Sequence, residues 1–218
     1  MTFGEYVNNK RIAVIGPAPS AFQNNNPDKM ESFDLVMRFN SAVPLTEEVK
    51  NILGPRTDIL CNCLEPHPIS GGKVDPEIWI KENVKWIISP YPKDIWFAKS
   101  NIDRFISLNK SRLGITCFDL NQYNVIENEI KTRPNSGILG IMHLLNYNVK
   151  ELYITGITFG RGGYHKGYKD DISPEQYDKL ANGKWHSQKP QETFFKKLYK
   201  ENKNIIKVDI TLKSILEE

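Results

Sequence analysis

Short apolar runs recur along the chain at residues 11–16, 33–40, 57–62, 84–89, 114–118, 151–158 and 205–208. Helical spacing fills much of the sequence between them, at 75–82, 93–108, 121–131, 137–146 and 190–201. Strands that alternate with helices need crossover connections, and crossovers lay the strands parallel with helices over both faces. The predicted fold class is therefore α/β, a Rossmann-like α/β/α sandwich with a mainly parallel sheet. The 218 residues suit one hydrophobic core, and no repeat or linker-like stretch divides them, so 1–218 reads as a single domain.

The bulk properties narrow the function. A formal charge of +3, spread without a basic block, does not mark a nucleic-acid binder. The first residues, MTFGEYVNNKR, lack the basic start and clean apolar run of a secretory signal. The longest apolar stretches, 12–15 and 138–145, fall far short of the ~20 residues of a membrane span. Cys61, Cys63 and Cys117 cannot all pair and do not have zinc-site spacing, so they read as reduced structural thiols. These features predict a soluble, cytoplasmic chain without an integral membrane segment.

Open parallel sheets bind ligands outside the carboxyl ends of their strands, near a reversal of strand order. Gly16 to Ser20, Arg38 to Asn40, Cys61 to Asn62 and Gly156 to Thr158 all fall at such ends. The turn Gly16-Pro-Ala-Pro-Ser20 follows the first strand but lacks the glycine pattern of dinucleotide or P-loop sites. Its prolines remove two amide donors, leaving Ser20 as the ligand contact. Strand alternation puts Arg38 and Asn40 on one face, Arg38 in a structural salt bridge and Asn40 available to phosphate or ribose. In Arg133-Pro-Asn-Ser-Gly137, Ser136 can cap the following apolar helix. The same helix start, with Asn135, Ser136 and Gly137, offers amides to an anionic group. His143, inside that helix, reads as packed rather than catalytic. Residues 161–185 are glycine-rich and polar with little periodicity, as in a mobile active-site loop. The Asp170-Asp171 pair in that loop reads as solvated charge, and no metal site is expected.

Several of these segments, in order, resemble the motifs of the family 29 sialyltransferases. The large motif is similar to Val14-Ile-Gly16 through Asp34-Leu-Val-Met-Arg-Phe-Asn40 and on to Gly54-Pro-Arg-Thr57. The small motif resembles Pro134-Asn-Ser-Gly137 with its helix and the strand Leu152-Tyr-Ile-Thr-Gly156. The third resembles Tyr164-His165-Lys-Gly-Tyr168, and the last, a histidine before a glutamate, His186-Ser-Gln-Lys-Pro-Gln-Glu192. The resemblance implies a GT-A-class fold and inverting, metal-independent transfer of sialic acid or a related ulosonic acid from a CMP-sugar donor to a glycan acceptor, without a cofactor. It implies His186 as the general base, His165 as a donor to the departing phosphate and Glu192 as the residue stabilising the site. Donor contacts would come from Gly16, Ser20, Asn40, Asn62, Asn135, Ser136, Gly137, Gly156 and Tyr164. The chain departs from the family at Pro17-Ala-Pro19 and in having no cysteine within 134–159 for the disulfide that joins the large and small motifs. The alternatives are a nucleotide-binding module without transfer activity and a CMP-sugar hydrolase.

Overall fold

The computed structural model describes the chain except residues 24 and 183–185, and the side chains at 174 and 180–182. Its centre is a seven-stranded sheet, parallel at every pairing. The strands are β1 (Arg11–Ile15), β2 (Leu35–Phe39), β3 (Ile59–Cys61), β4 (Trp86–Ser89), β5 (Gly114–Cys117), β6 (Glu151–Thr155) and β7 (Ile206–Val208). Their order is β5-β4-β3-β2-β1-β6-β7. The chain thus winds outward from β1 to one edge, then returns to the other side of β1. The reversal of strand order lies between β1 and β6, where Ile15 is level with Thr155.

The alternation of side chains along each strand feeds two layers of helices. Ile12, Val14, Met37, Ile59 and Ile154 face a layer that includes α1 (Phe3–Val7), α7 (Ser136–Leu145) and α9 (Gln188–Glu201). Ala13, Ile15 and Val36 face α2 (Pro27–Glu31) and α3 (Glu47–Leu53). On the same sheet face, Leu60 and Ile87 pack against α4 (Pro76–Lys81) and α5 (Trp96–Asn109). The sandwich is completed by α6 (Leu120–Ile130), which lies against α9, by α8 (Pro174–Asn182), and by α10 (Ile210–Glu217). The central strands are buried along nearly all of their length, β2 and β3 at every position, because helices cover both faces.

The structure corrects the sequence reading at four points. Asn135, not Ser136, caps α7: its side chain accepts from the Ile138 amide at 2.9 Å, and Ser136 is already helical. Strand β2 stops at Phe39, and Asn40 turns through a positive φ of 43°. Arg38 and Asn40 consequently do not share a face. The buried Arg38 guanidinium meets the carbonyls of Leu53, Gly54 and Arg56 rather than a carboxylate, so its partner is backbone instead of a salt bridge. Finally, the stretch expected to be wholly irregular holds α8, whose start is marked by Ser173 and Gln176 exchanging side-chain to amide hydrogen bonds. Residues 183–185 of that stretch lie outside the described residues.

Candidate active site

At the strand reversal, Gly16 and Gly156 bring the ends of β1 and β6 together. A Cβ on either glycine would collide with the carbonyl oxygen of the other, and Gly156 has a φ of +70°. Only glycine meets both demands at Gly156. The junction is fastened by the Gly16 amide on the Thr155 carbonyl at 2.8 Å and the Ala18 amide on the Gly156 carbonyl at 2.9 Å. Behind it, buried Asp209 accepts from the Thr155 hydroxyl at 2.6 Å and the Gly156 amide at 3.1 Å, and also caps α10.

A cavity of about 230 Å³ opens above this junction. Its floor is formed by Pro17, Ala18, Phe39, Asn40 and Gly156. The start of α7 (Asn135, Ser136 and Gly137), with Arg133, forms one wall, and Tyr164, Tyr168 and Lys169 form another. His186 and Gln188 reach it from the entry to α9, and Tyr91, Phe97 and Asn101 from the side of α5. Seven of the residues expected to serve the site therefore meet in one space: Asn40, Asn135, Ser136, Gly137, Gly156, Tyr164 and His186.

Among the described residues, one hydrogen bond orients the His186 ring. Its Nδ1 lies 2.9 Å from the Arg133 carbonyl, which can only accept, so Nδ1 carries the proton and Nε2 is left with its lone pair. Burial lowers its pKa below the ordinary 6.5, against the opposing effect of that carbonyl. A neutral imidazole whose Nε2 has no hydrogen-bond partner among the described residues is competent as a general base near neutral pH. The α7 start is fixed from α9: the buried Gln191 side chain accepts from the Asn135 amide at 2.8 Å and donates to the Ser187 carbonyl at 3.3 Å. One side chain thus ties the segment that carries His186 to the helix terminus, a relation spacing alone did not reveal.

Asn40 is held by the Cys63 amide, which donates to its side-chain oxygen at 3.1 Å. Tyr164 stands edge-on to Tyr168 and Tyr177, with ring centroids 5.0 and 4.9 Å away. Burial pushes its phenol up to about 12, so it is a hydroxyl donor at physiological pH.

The other expected residues do not line the cavity. Asn62 is fully buried and spends its amide on the carbonyls of Asn40 and Gly71 and its oxygen on the Leu64 amide, which shapes the Asn40 turn from beneath. Ser20 is buried in a short 3-10 turn, and its hydroxyl has no hydrogen-bond partner among the described residues. Gly16 and His165 border a small separate recess with Pro17 and Arg38. The His165 ring packs on Phe22 and Tyr168, and its amide donates to the Pro17 carbonyl at 2.9 Å. Glu192 is buried beneath Arg161, Lys189 and Lys196, at 2.8, 3.3 and 3.2 Å. Burial raises its pKa, but the hydrogen bonds and charge of these cations outweigh that and hold it below the usual value.

The cavity lies over the switch point of a parallel α/β/α sheet, the place where open α/β sheets bind their ligands. No protein-family model and no curated protein matches the chain. Among solved structures it is similar to a mammalian sialyltransferase in complex with Gal-beta-1-3GalNAc-ortho-nitrophenol, at 16% identity and a TM-score of 0.62, covering 95% of this chain and 71% of that one. It is similar to the sialyltransferase CstII from Campylobacter jejuni in complex with the substrate analogue CMP-3FNeuAc (16% identity, TM-score 0.55, 91% and 80% covered). The monofunctional alpha-2,3-sialyltransferase Cst-I of the same organism gives 18% identity and a TM-score of 0.56, with 95% and 78% covered. The chain has a sialyltransferase-like fold.

Proposed function

We propose that the chain is an inverting glycosyltransferase that moves sialic acid, or a related ulosonic acid, from a CMP-sugar to a glycan hydroxyl without a divalent metal ion. The observation that carries this reading is one cavity lined by His186 on one side and by a helix amino terminus and tyrosine side chains on the others. The likeness of the fold to enzymes crystallised with a CMP-sugar analogue and with an acceptor glycoside supports the choice of substrates.

In this reading Nε2 of His186 takes the proton of the acceptor hydroxyl as its oxygen attacks the anomeric carbon. The new glycosidic bond forms as the bond from that carbon to the phosphate oxygen breaks, and CMP leaves with the electron pair. The amides at the start of α7 and the Tyr164 hydroxyl receive the phosphate charge, which a helix amino terminus favours. Asn40 holds the ribose. Gly16, Ser20 and Asn62 shape the floor, His165 braces the Pro17 turn, and Glu192 locks the Arg161 loop onto α9.

Calorimetry with a nucleotide panel tests the donor. CMP is expected to bind more tightly than UMP, GMP or AMP, and a ranking led by UMP or a purine nucleotide would overturn the assignment.

A further inference from the structure

Lys169 lies in the cavity wall between Tyr168 and the segment 65–72, and it is not one of the residues the sequence singled out. It is half-buried, and its ammonium donates to the carbonyls of Ile69 and Ser70, both at 2.8 Å. The Tyr164 and Tyr168 rings stand 5.8 and 5.6 Å from it. No carboxylate lies within ion-pair distance of it among the described residues; the nearby acid is Glu65, which also lines the cavity. A cation withdrawn from water is unfavourable unless an anion or a full set of acceptors compensates it. Two carbonyls use two of its three N–H donors. Among the described residues one donor, and a charge with no carboxylate in contact, remain beside the space a ligand enters.

We propose that Lys169 is an anion-recognition residue of the cavity, its remaining N–H directed to an oxyanion of the bound substrate, phosphate or sugar carboxylate. This rests on the reading of the cavity as a nucleotide-sugar site. The same ammonium clasps segment 65–72 to the Tyr164–Tyr168 loop, so a bound oxyanion and the loop closure share one group. Burial lowers its pKa to about 8, with Cys63 and Glu65 opposing the shift, which agrees with a charge awaiting its partner. The other ionisable groups facing it are Tyr164, Tyr168 and His186. Burial pushes the Cys63 thiol and both phenols up and His186 down, away from the pH range in which Lys169 titrates.

The test compares wild type, Lys169→Met and Lys169→Arg by calorimetry against cytidine, CMP and CMP-sialic acid, with uridine and adenosine and their monophosphates as further pairs. Charge-assisted hydrogen bonds imply a loss of about tenfold or more. If Lys169 meets phosphate, Lys169→Met weakens the monophosphates by that factor and leaves the nucleosides unchanged. If it meets the carboxylate, only CMP-sialic acid weakens. Either result supports the proposal, and Lys169→Arg should retain part of the affinity. In wild type, affinity for the same ligand should fall as pH rises from 7 to ~9.5 as the ammonium loses its proton, with nucleoside affinity flat. Equal loss across nucleosides and anions, or no loss, overturns it. A wild type that prefers a purine monophosphate while Lys169→Met still loses anion selectivity sinks the CMP reading alone; a wild type that binds none of these ligands sinks both.

Discussion

His143 illustrates how one residue type divides between chemistry and packing. Its place in the apolar α7 sequence predicted burial, and the ring is enclosed by Phe3, Phe118 and Tyr147, with Nε2 3.1 Å from the Thr116 hydroxyl. Burial lowers its pKa to about 4 from 6.5. Between those values the unfolded chain binds the proton and the folded chain does not, so this contribution to stability is intact above pH 6.5 and is lost as pH falls toward 4. Urea titrations should show roughly 3 kcal/mol less stability at the acid end from this group, and His143→Leu should flatten that slope. A slope unchanged in the variant would assign the acid sensitivity elsewhere. The glycine pair is equally exacting. Gly16→Ala and Gly156→Ala should each cost roughly 2 kcal/mol or more, read as a lowered urea midpoint, because backbone rather than a flexible side chain occupies the space. Such residues were legible because glycine and histidine have few uses inside apolar runs. Lys169 and Gln191 were not, because a lysine or glutamine acquires its role only from what the fold brings opposite it.

Among the elements, strands and long helices were legible, whereas the short helices, apart from α4, were not. The seven apolar runs in the sequence became the seven strands, and α7 and α9 fall within a few residues of their expected limits. By contrast α1 and α2 span only five residues each. Such helices are marginal alone and exist through caps and packing, here the reciprocal Thr2 and Glu5 cap and the Asn26 cap. The α10 cap matters most for the site, because Asp209 serves the helix with one carboxylate oxygen and the Thr155–Gly156 turn with the other. Asp209→Ala should remove a cap and strand buried donors, at roughly 2–4 kcal/mol, and weaken nucleotide binding through the displaced turn. Stability and nucleotide affinity both equal to wild type would show that the turn holds itself. Gln191→Ala is expected instead to leave most of the stability intact while lowering turnover, since it releases the α7 start from the segment bearing His186.

At the scale of the whole molecule, the sheet order sets where chemistry can occur. Winding away from β1 and returning beside it leaves one reversal, and the residues from the first turn, the α7 start, the tyrosine loop and the α9 entry meet only there. The sequence named most of these places because strand ends are recognisable, whereas their convergence depends on a strand order that local patterns do not encode. Transfer should continue at full rate in excess chelator, because the proposed charge acceptors are amides, phenols and an ammonium; loss on chelation with recovery on adding one ion would contradict this. The base should also give an acidic limb in the pH–rate profile below pH 6.5, where His186 gains its proton, with activity present above it. The most direct measurement is transfer from CMP-sialic acid by folded His186→Ala beside wild type, with CMP affinity determined on the same preparations. Transfer is expected to fall by ~10²–10⁴-fold with CMP affinity nearly unchanged; near-wild-type transfer in the variant would contradict the assignment of His186 as the base of this cavity.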